Sequence, residues 1–222
     1  MVRRRKLSTF LRSEDGISMV EGVLVLPLVL LVFAVLVEFG FAVFQWNQTV
    51  KAMQLGARLA AVSDPVASDL SFLETPPAPN EGGPTESPLV APRAILCTSG
   101  SCTLAGDGSG GATVPSYQSD NMDWLIEGSV DGCNAAADPR PGMCDFNPRM
   151  NANNVLITYH RSGLGYVGRP DGAVATVTVS LDGLTFNLPL IGALIGINTF
   201  EIPANPVTVT SEDLCSARPD LC

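Results

Sequence analysis

Residues 17–46, ISMVEGVLVLPLVLLVFAVLVEFGFAVFQW, decide how this chain is built. They are thirty consecutive residues in which Glu21 and Glu38 carry the only formal charges. About 20 largely apolar residues suffice, as a helix, to cross ~30 Å of hydrocarbon. The run is more than long enough. A rise of ~1.5 Å per residue sets the two carboxylates ~25 Å apart, so they cannot both sit at mid-bilayer. The arrangement that costs least places them toward opposite leaflets.

The flanks orient this helix. Five of the 13 basic residues, Arg3, Arg4, Arg5, Lys6 and Arg12, lie before Gly16, whereas the near flank after the apolar run offers only Lys51 and Arg58. Basic residues stay on the cytoplasmic side, which predicts a single-pass membrane protein with its N-terminus inside. All that follows the helix is then outside the cytoplasm, where disulfides persist. The 222 residues have a formal charge of −9, so bulk positive charge cannot drive nucleic-acid binding, and no nucleic-acid partner is expected. An apolar fraction of 46% with 16% charged residues is too hydrophobic for an intrinsically disordered chain.

Beyond Trp46, Val50, Met53, Ala57 and Ala60 recur at helical spacing while Asn47, Lys51, Gln54 and Arg58 fall on another face. One helix from about Ser18 to Val62 is expected, bent at Pro27 and stopped by Ser63-Asp64-Pro65.

The junction before the helix is the most specific signal. A cleavable secretory signal has a short apolar core closed by a small-residue cut site. Here the core is long and no such site closes it. Instead a basic leader ends in Gly16 and is followed by Ile17-Ser18-Met19-Val20-Glu21. This resembles the processing site of type IV prepilins and pseudopilins, in which a membrane peptidase cuts after the glycine and the apolar helix is kept. Glycine leaves the backbone unobstructed for such an enzyme. The cut would give Ile17 a free amine. A carboxylate near lipid is costly unless paired, and the new amine of a neighbouring subunit would be a partner for Glu21, fixing the axial register between subunits.

Val20-Glu21-Gly22, Leu26-Pro27-Leu28, Glu38-Phe39-Gly40 and residues 55–61, LGARLAA, extend the likeness. Residues 16–65 resemble the TadE-like family of the tight-adherence (Tad) pilus machinery, with Gly22 where family members usually carry Phe, Tyr or Ala. The resemblance implies a pseudopilin-like, single-pass protein with a modest β-rich domain outside the bacterial inner membrane. Its implied partners are a prepilin peptidase and other pilin or pseudopilin subunits.

Downstream, residues 63–92 hold seven of the 17 prolines and read as a linker or loop. Strands are expected over 155–159, 173–181 and 207–210, and Asp182-Gly183 predicts a hairpin joining 173–181 to 184–188. Ala175, Val177, Val179 and Leu181 form the face to be buried. The six cysteines pair most easily over short loops, Cys97 with Cys102, Cys133 with Cys144 and Cys215 with Cys222, among 15 possible connectivities. A four-thiolate zinc site lacks the usual ligand spacing. Residues 188–197, LPLIGALIGI, are too short for a second span. They read as a loop or short helix over the sheet, or as an apolar patch for a partner or membrane.

Signals for catalysis are sparse. His160 is the single histidine, and residues 106–111, GDGSGG, resemble a serine-protease string with one glycine too many. Asp131, Asp138 and Asp145 could serve calcium but lack an EF-hand spacing. No catalytic residue, cofactor or metal is expected, and the chain is not expected to be an enzyme.

The expected fold class is α+β, a long N-terminal transmembrane α-helix followed by a small disulfide-stapled antiparallel β-rich domain. The expected divisions are a leader over 1–16, the helix over 17–62, the Pro-rich stretch over 63–92 and an extracytoplasmic domain over 93–222. The function expected is that of a pseudopilin-like component of Tad (type IVc) pilus assembly. The alternatives are an uncleaved membrane-anchored binding module, a minor pseudopilin of a type II secretion system, and an anchored hydrolase that would need His160.

Overall fold

The computed structural model describes residues 15–73, 92–98, 100–106, 109–128, 132–133, 140–164, 174–196, 199–202 and 205–211. Helix α1, Asp15–Val62, runs for 48 residues without interruption at Pro27. Its stop follows the sequence signal: the Ser63 hydroxyl donates to the Leu59 carbonyl, satisfying one of the acceptors a last turn leaves open, and Pro65 cannot continue the helix.

The two halves of α1 are chemically different. From Met19 to Phe33 every side chain is exposed, Val20, Leu24, Leu28 and Phe33 among them. In the second half Thr49, Ala52, Met53, Gly56, Ala57, Ala60 and Ala61 are buried, a stripe at spacings of three and four. Chain contacts accordingly divide the molecule into two compact units. One joins α1 up to Val43 with Asn187–Phe200, and the other comprises Phe44–Phe186 with Glu201–Cys222.

The second unit is built on a five-stranded antiparallel sheet in the order β2-β1-β3-β4-β7, from β1 (Arg93–Thr98), β2 (Ser101–Gly106), β3 (Val155–Leu164), β4 (Val174–Leu181) and β7 (Val207–Thr210). Register aligns Ile95 with Tyr159 and Tyr159 with Val177, so their side chains share one face. With Ile157 and Val179 they are fully buried. Ala175, Val177 and Val179 lie inside as expected, while Leu181 is only half-buried at the end of its strand. Helices α2 (Ser119–Glu127) and α3 (Met143–Phe146) add Met122, Leu125 and Met143 to this core.

The expected hairpin after β4 does not form. Both edges of β4 are already hydrogen-bonded, one to β3 and the other to β7, which leaves no edge for 184–188. Gly183 still makes its turn, with φ +67°, and the Asp182 N–H donates to the Asn154 carbonyl at 2.9 Å. The chain is thereby sent into β5 (Thr185–Asn187), which pairs instead with β6 (Thr199–Glu201) in a separate two-stranded ribbon.

Two disulfides staple this unit. Cys97 and Cys102 face each other in the β1–β2 register with Cα atoms 4.1 Å apart, and Cys133 joins Cys144 at 5.8 Å. Four thiols are therefore held in two separate bridges, which removes them from any four-thiolate zinc site. Cys215 and Cys222 lie outside the described residues, as does most of the leader.

Residues after the helix stop are strapped onto the sheet. The Val66 N–H donates to the Tyr159 hydroxyl at 2.8 Å, the Gln118 N–H to the Val66 carbonyl at 2.8 Å and the Asn121 side-chain amide to the Pro65 carbonyl at 2.8 Å. Phe72 and Leu73 are buried, with the Arg93 guanidinium 5.1 Å from the Phe72 ring centre. Of the Pro-rich stretch 63–92, residues 74–91 lie outside the described residues.

Burial pushes the Tyr159 hydroxyl well above its ordinary value of 10, partly opposed by the bond from Val66. A phenol that must stay neutral when folded stabilises the fold below about pH 10 and loses that contribution as pH rises further. In Tyr159→Phe the Val66 N–H loses its acceptor, so denaturant unfolding of this unit should show a loss of ~1–3 kcal/mol at neutral pH. The fall in stability above about pH 10 should be shallower in the variant. At Gly56 an added Cβ would run into the Met143 thioether. Gly56→Ala, opposed only by a flexible side chain, should cost little in the same measurement, whereas Gly56→Leu should cost ~1–3 kcal/mol by overpacking.

Candidate functional site

The residues of interest lie along α1. Gly16 and Ile17 occupy its first turn. Glu21 follows on an exposed surface shared with Met19, Val20 and Val23. Among the described residues Glu21 has no hydrogen-bond or ion-pair partner. An unpaired carboxylate on a lipid-compatible surface favours any cation brought to it.

Glu38 is in a different state. It is only 6% exposed, and its Oε1 accepts a hydrogen bond from the Leu190 backbone N–H at 2.9 Å. Leu190 lies in the first turn of helix α4, Pro189–Ile195, which opens with Pro189. Pro there has its φ preset and lacks an N–H that would otherwise be left open. Gly196, with φ +77°, closes α4 in the left-handed conformation that glycine adopts without strain, its N–H donating to the Gly192 carbonyl at 2.8 Å. The Glu38 carboxylate meets the positive end of α4, where backbone N–H groups lack partners within the helix.

Residues 188–197 thus contain the short helix anticipated from sequence, and chain contacts group it with α1 up to Val43. Sequence reasoning missed the union of Glu38 with Leu190 because 152 positions separate them. The one available signal was compositional: residues 187–200 carry no formal charge, and from Ile17 to Val43 in the same unit Glu21 and Glu38 are the only charges.

The remaining candidates do not converge. His160 lies exposed on β3, paired across the ladder with Thr176 and Ala94. Asp145 is engaged at the start of α3, where it accepts the Gly142 N–H at 2.7 Å. Asp131 and Asp138 lie outside the described residues. Among the described residues no group of three or more His, Cys, Asp or Glu is placed to hold a metal ion.

Among the described residues a single apolar helix, N-terminal and followed by a disulfide-stapled antiparallel sheet, fits a single-pass membrane anchor bearing a small β-rich domain. The family model described as TadE-like protein matches residues 16–58, from the glycine of the junction into the buried half of α1. That segment supports a pseudopilin-type role associated with the Tad pilus. Comparison with curated proteins and with solved structures gives no match.

Glu38→Ala removes the acceptor for the Leu190 N–H, a charge-assisted bond of a kind that contributes ~1.5–3 kcal/mol. Amide hydrogen exchange over residues 188–192, followed by mass spectrometry in lipid nanodiscs, should accelerate by about tenfold or more in that variant. Glu38→Gln keeps an acceptor oxygen and should retain most of the protection.

Proposed function

We propose that this chain is a pseudopilin-type component of Tad (type IVc) pilus assembly, cut by a prepilin peptidase between Gly16 and Ile17 and joined to pilin-like subunits through α1. The observation that carries this reading is Glu21, partnerless among the described residues and five positions beyond Gly16, on an uncovered apolar helix inside the TadE-like segment. The uncut bond lies in the first turn of α1, so the peptidase must unwind that turn, which frays at little cost because it has few intrahelical partners. Cleavage removes the basic leader and leaves an ammonium at Ile17.

In lipid, an ammonium and a carboxylate on adjoining subunits attract strongly only when close and mutually desolvated, which favours one axial register over others. The same apolar side chains that suit lipid then suit a neighbouring helix, where dispersion and close packing hold subunits together. The cytoplasmic side receives the leader and the oxidising periplasmic side receives the disulfide-stapled domain. The role is structural, and no catalytic step is assigned to any residue.

N-terminal sequencing or intact-mass analysis of protein from its host should begin at Ile17. A mature start at Met1 or Val2 would return the chain to an uncleaved anchored module. Glu21→Gln and Glu21→Ala should insert normally, while copurification of pilin-like subunits after crosslinking falls by about tenfold or more, the scale of losing one partner of a buried ion pair. Undiminished assembly in both variants would refute the pairing.

A further inference from the structure

Residues 184–200, LTFNLPLIGALIGINTF, carry no charged side chain, and along the chain α4 lies between β5 and β6. Leu190 is 56% exposed, and Pro189 and Ala193 are exposed too. Water is a poor solvent for such a surface. The hydrogen bond from Leu190 to Glu38 places the start of α4 at a definite height on α1.

That height can be estimated. The apolar surface of α1 extends from Met19 to Phe44, so its midpoint falls near Leu31 and Val32. Glu38 is then ~10 Å from the bilayer centre, inside a hydrocarbon half-thickness of ~15 Å. A carboxylate at this depth needs donors, and a short helix entering lipid needs acceptors for its first N–H groups. Glu38 and α4 answer both needs at once.

We propose that α4 is a lipid-inserting finger: it enters the leaflet nearer Glu38, beside α1, with Glu38 as the positioning residue that receives its first turn. The partner is the acyl and headgroup boundary of a bilayer, and the finger is a second membrane attachment in addition to α1. Interfacial segments of this kind bind by burying apolar surface, and α4 carries no cation that would make the attachment depend on anionic lipid. The inference rests on α1 spanning the bilayer.

The test uses the full chain in phosphatidylcholine nanodiscs, with photoreactive p-benzoylphenylalanine in place of Phe33, Val114 or Leu190 in separate samples, and lipid adducts read by intact mass. Phe33 is an exposed position on α1 and Val114 an exposed position in the other unit. Adducts are expected at 33 and 190 and not at 114. Glu38→Ala should lower the yield at 190 by about tenfold while leaving 33 unchanged, and Glu38→Gln should hold it within about twofold. Non-reducing mass analysis confirms that each variant keeps its disulfides. Adducts at 33 without adducts at 190 overturn the finger and leave the membrane span standing. Crosslinking at 190 to a second copy in place of lipid overturns it in favour of an interface between chains. An undiminished yield in Glu38→Ala overturns the anchoring by Glu38, and absence of adducts at 33 as well as 190 removes the span and the finger together.

Discussion

The first half of α1 needs an apolar cover that the described chain does not supply. Its side chains from Met19 to Phe33 are exposed, and no other part of the described chain shields them. Burying a Leu, Val or Phe side chain is worth ~1.5–3 kcal/mol, so a row of this length left in water would be a large liability. A bilayer or an array of like helices removes it. Both glutamates inherit their meaning from that constraint, because a carboxylate that would be unremarkable in water must find a donor or a cation in hydrocarbon. Glu38 finds backbone N–H within its own chain, while Glu21 finds none among the described residues.

The second half of the same helix meets the opposite demand. Its buried stripe is made of Ala, Gly, Thr and one Met, small enough for close approach, and Met143 fills the space above Gly56. Thr49 stays satisfied there: its hydroxyl donates to the Gln45 carbonyl at 2.9 Å and accepts from the Asn147 amide at 2.9 Å. The strap after Pro65 completes the arrangement by using Tyr159 from the middle of the sheet as an acceptor. A sheet of this size supplies a limited core, and the two disulfides compensate by restricting the unfolded chain.

Much of this was legible in the residues themselves. The helix, its stop at Ser63-Asp64-Pro65, the buried alternation of β4 and two short-loop disulfides follow from composition, period and spacing, which are local quantities. The strands β1 and β2 were less visible, since Arg93–Thr98 and Ser101–Gly106 are short, mixed in polarity and rich in small residues. Helix α2 was hidden for a similar reason, as Ser-Asp-Asn at its start reads equally well as a turn.

What the sequence by itself determined is therefore the solvent each segment requires: hydrocarbon for residues 17–46, and an oxidised, sheet-lined core for the cysteine-bearing half. Tertiary structure alone decided which segments meet. It refused the Asp182-Gly183 hairpin because β3 and β7 had taken both edges of β4, and it brought Leu190 to Glu38 across 152 positions. Edge occupancy and the pairing of distant polar groups depend on the whole arrangement of hydrogen bonds, and no local pattern of residue types encodes them.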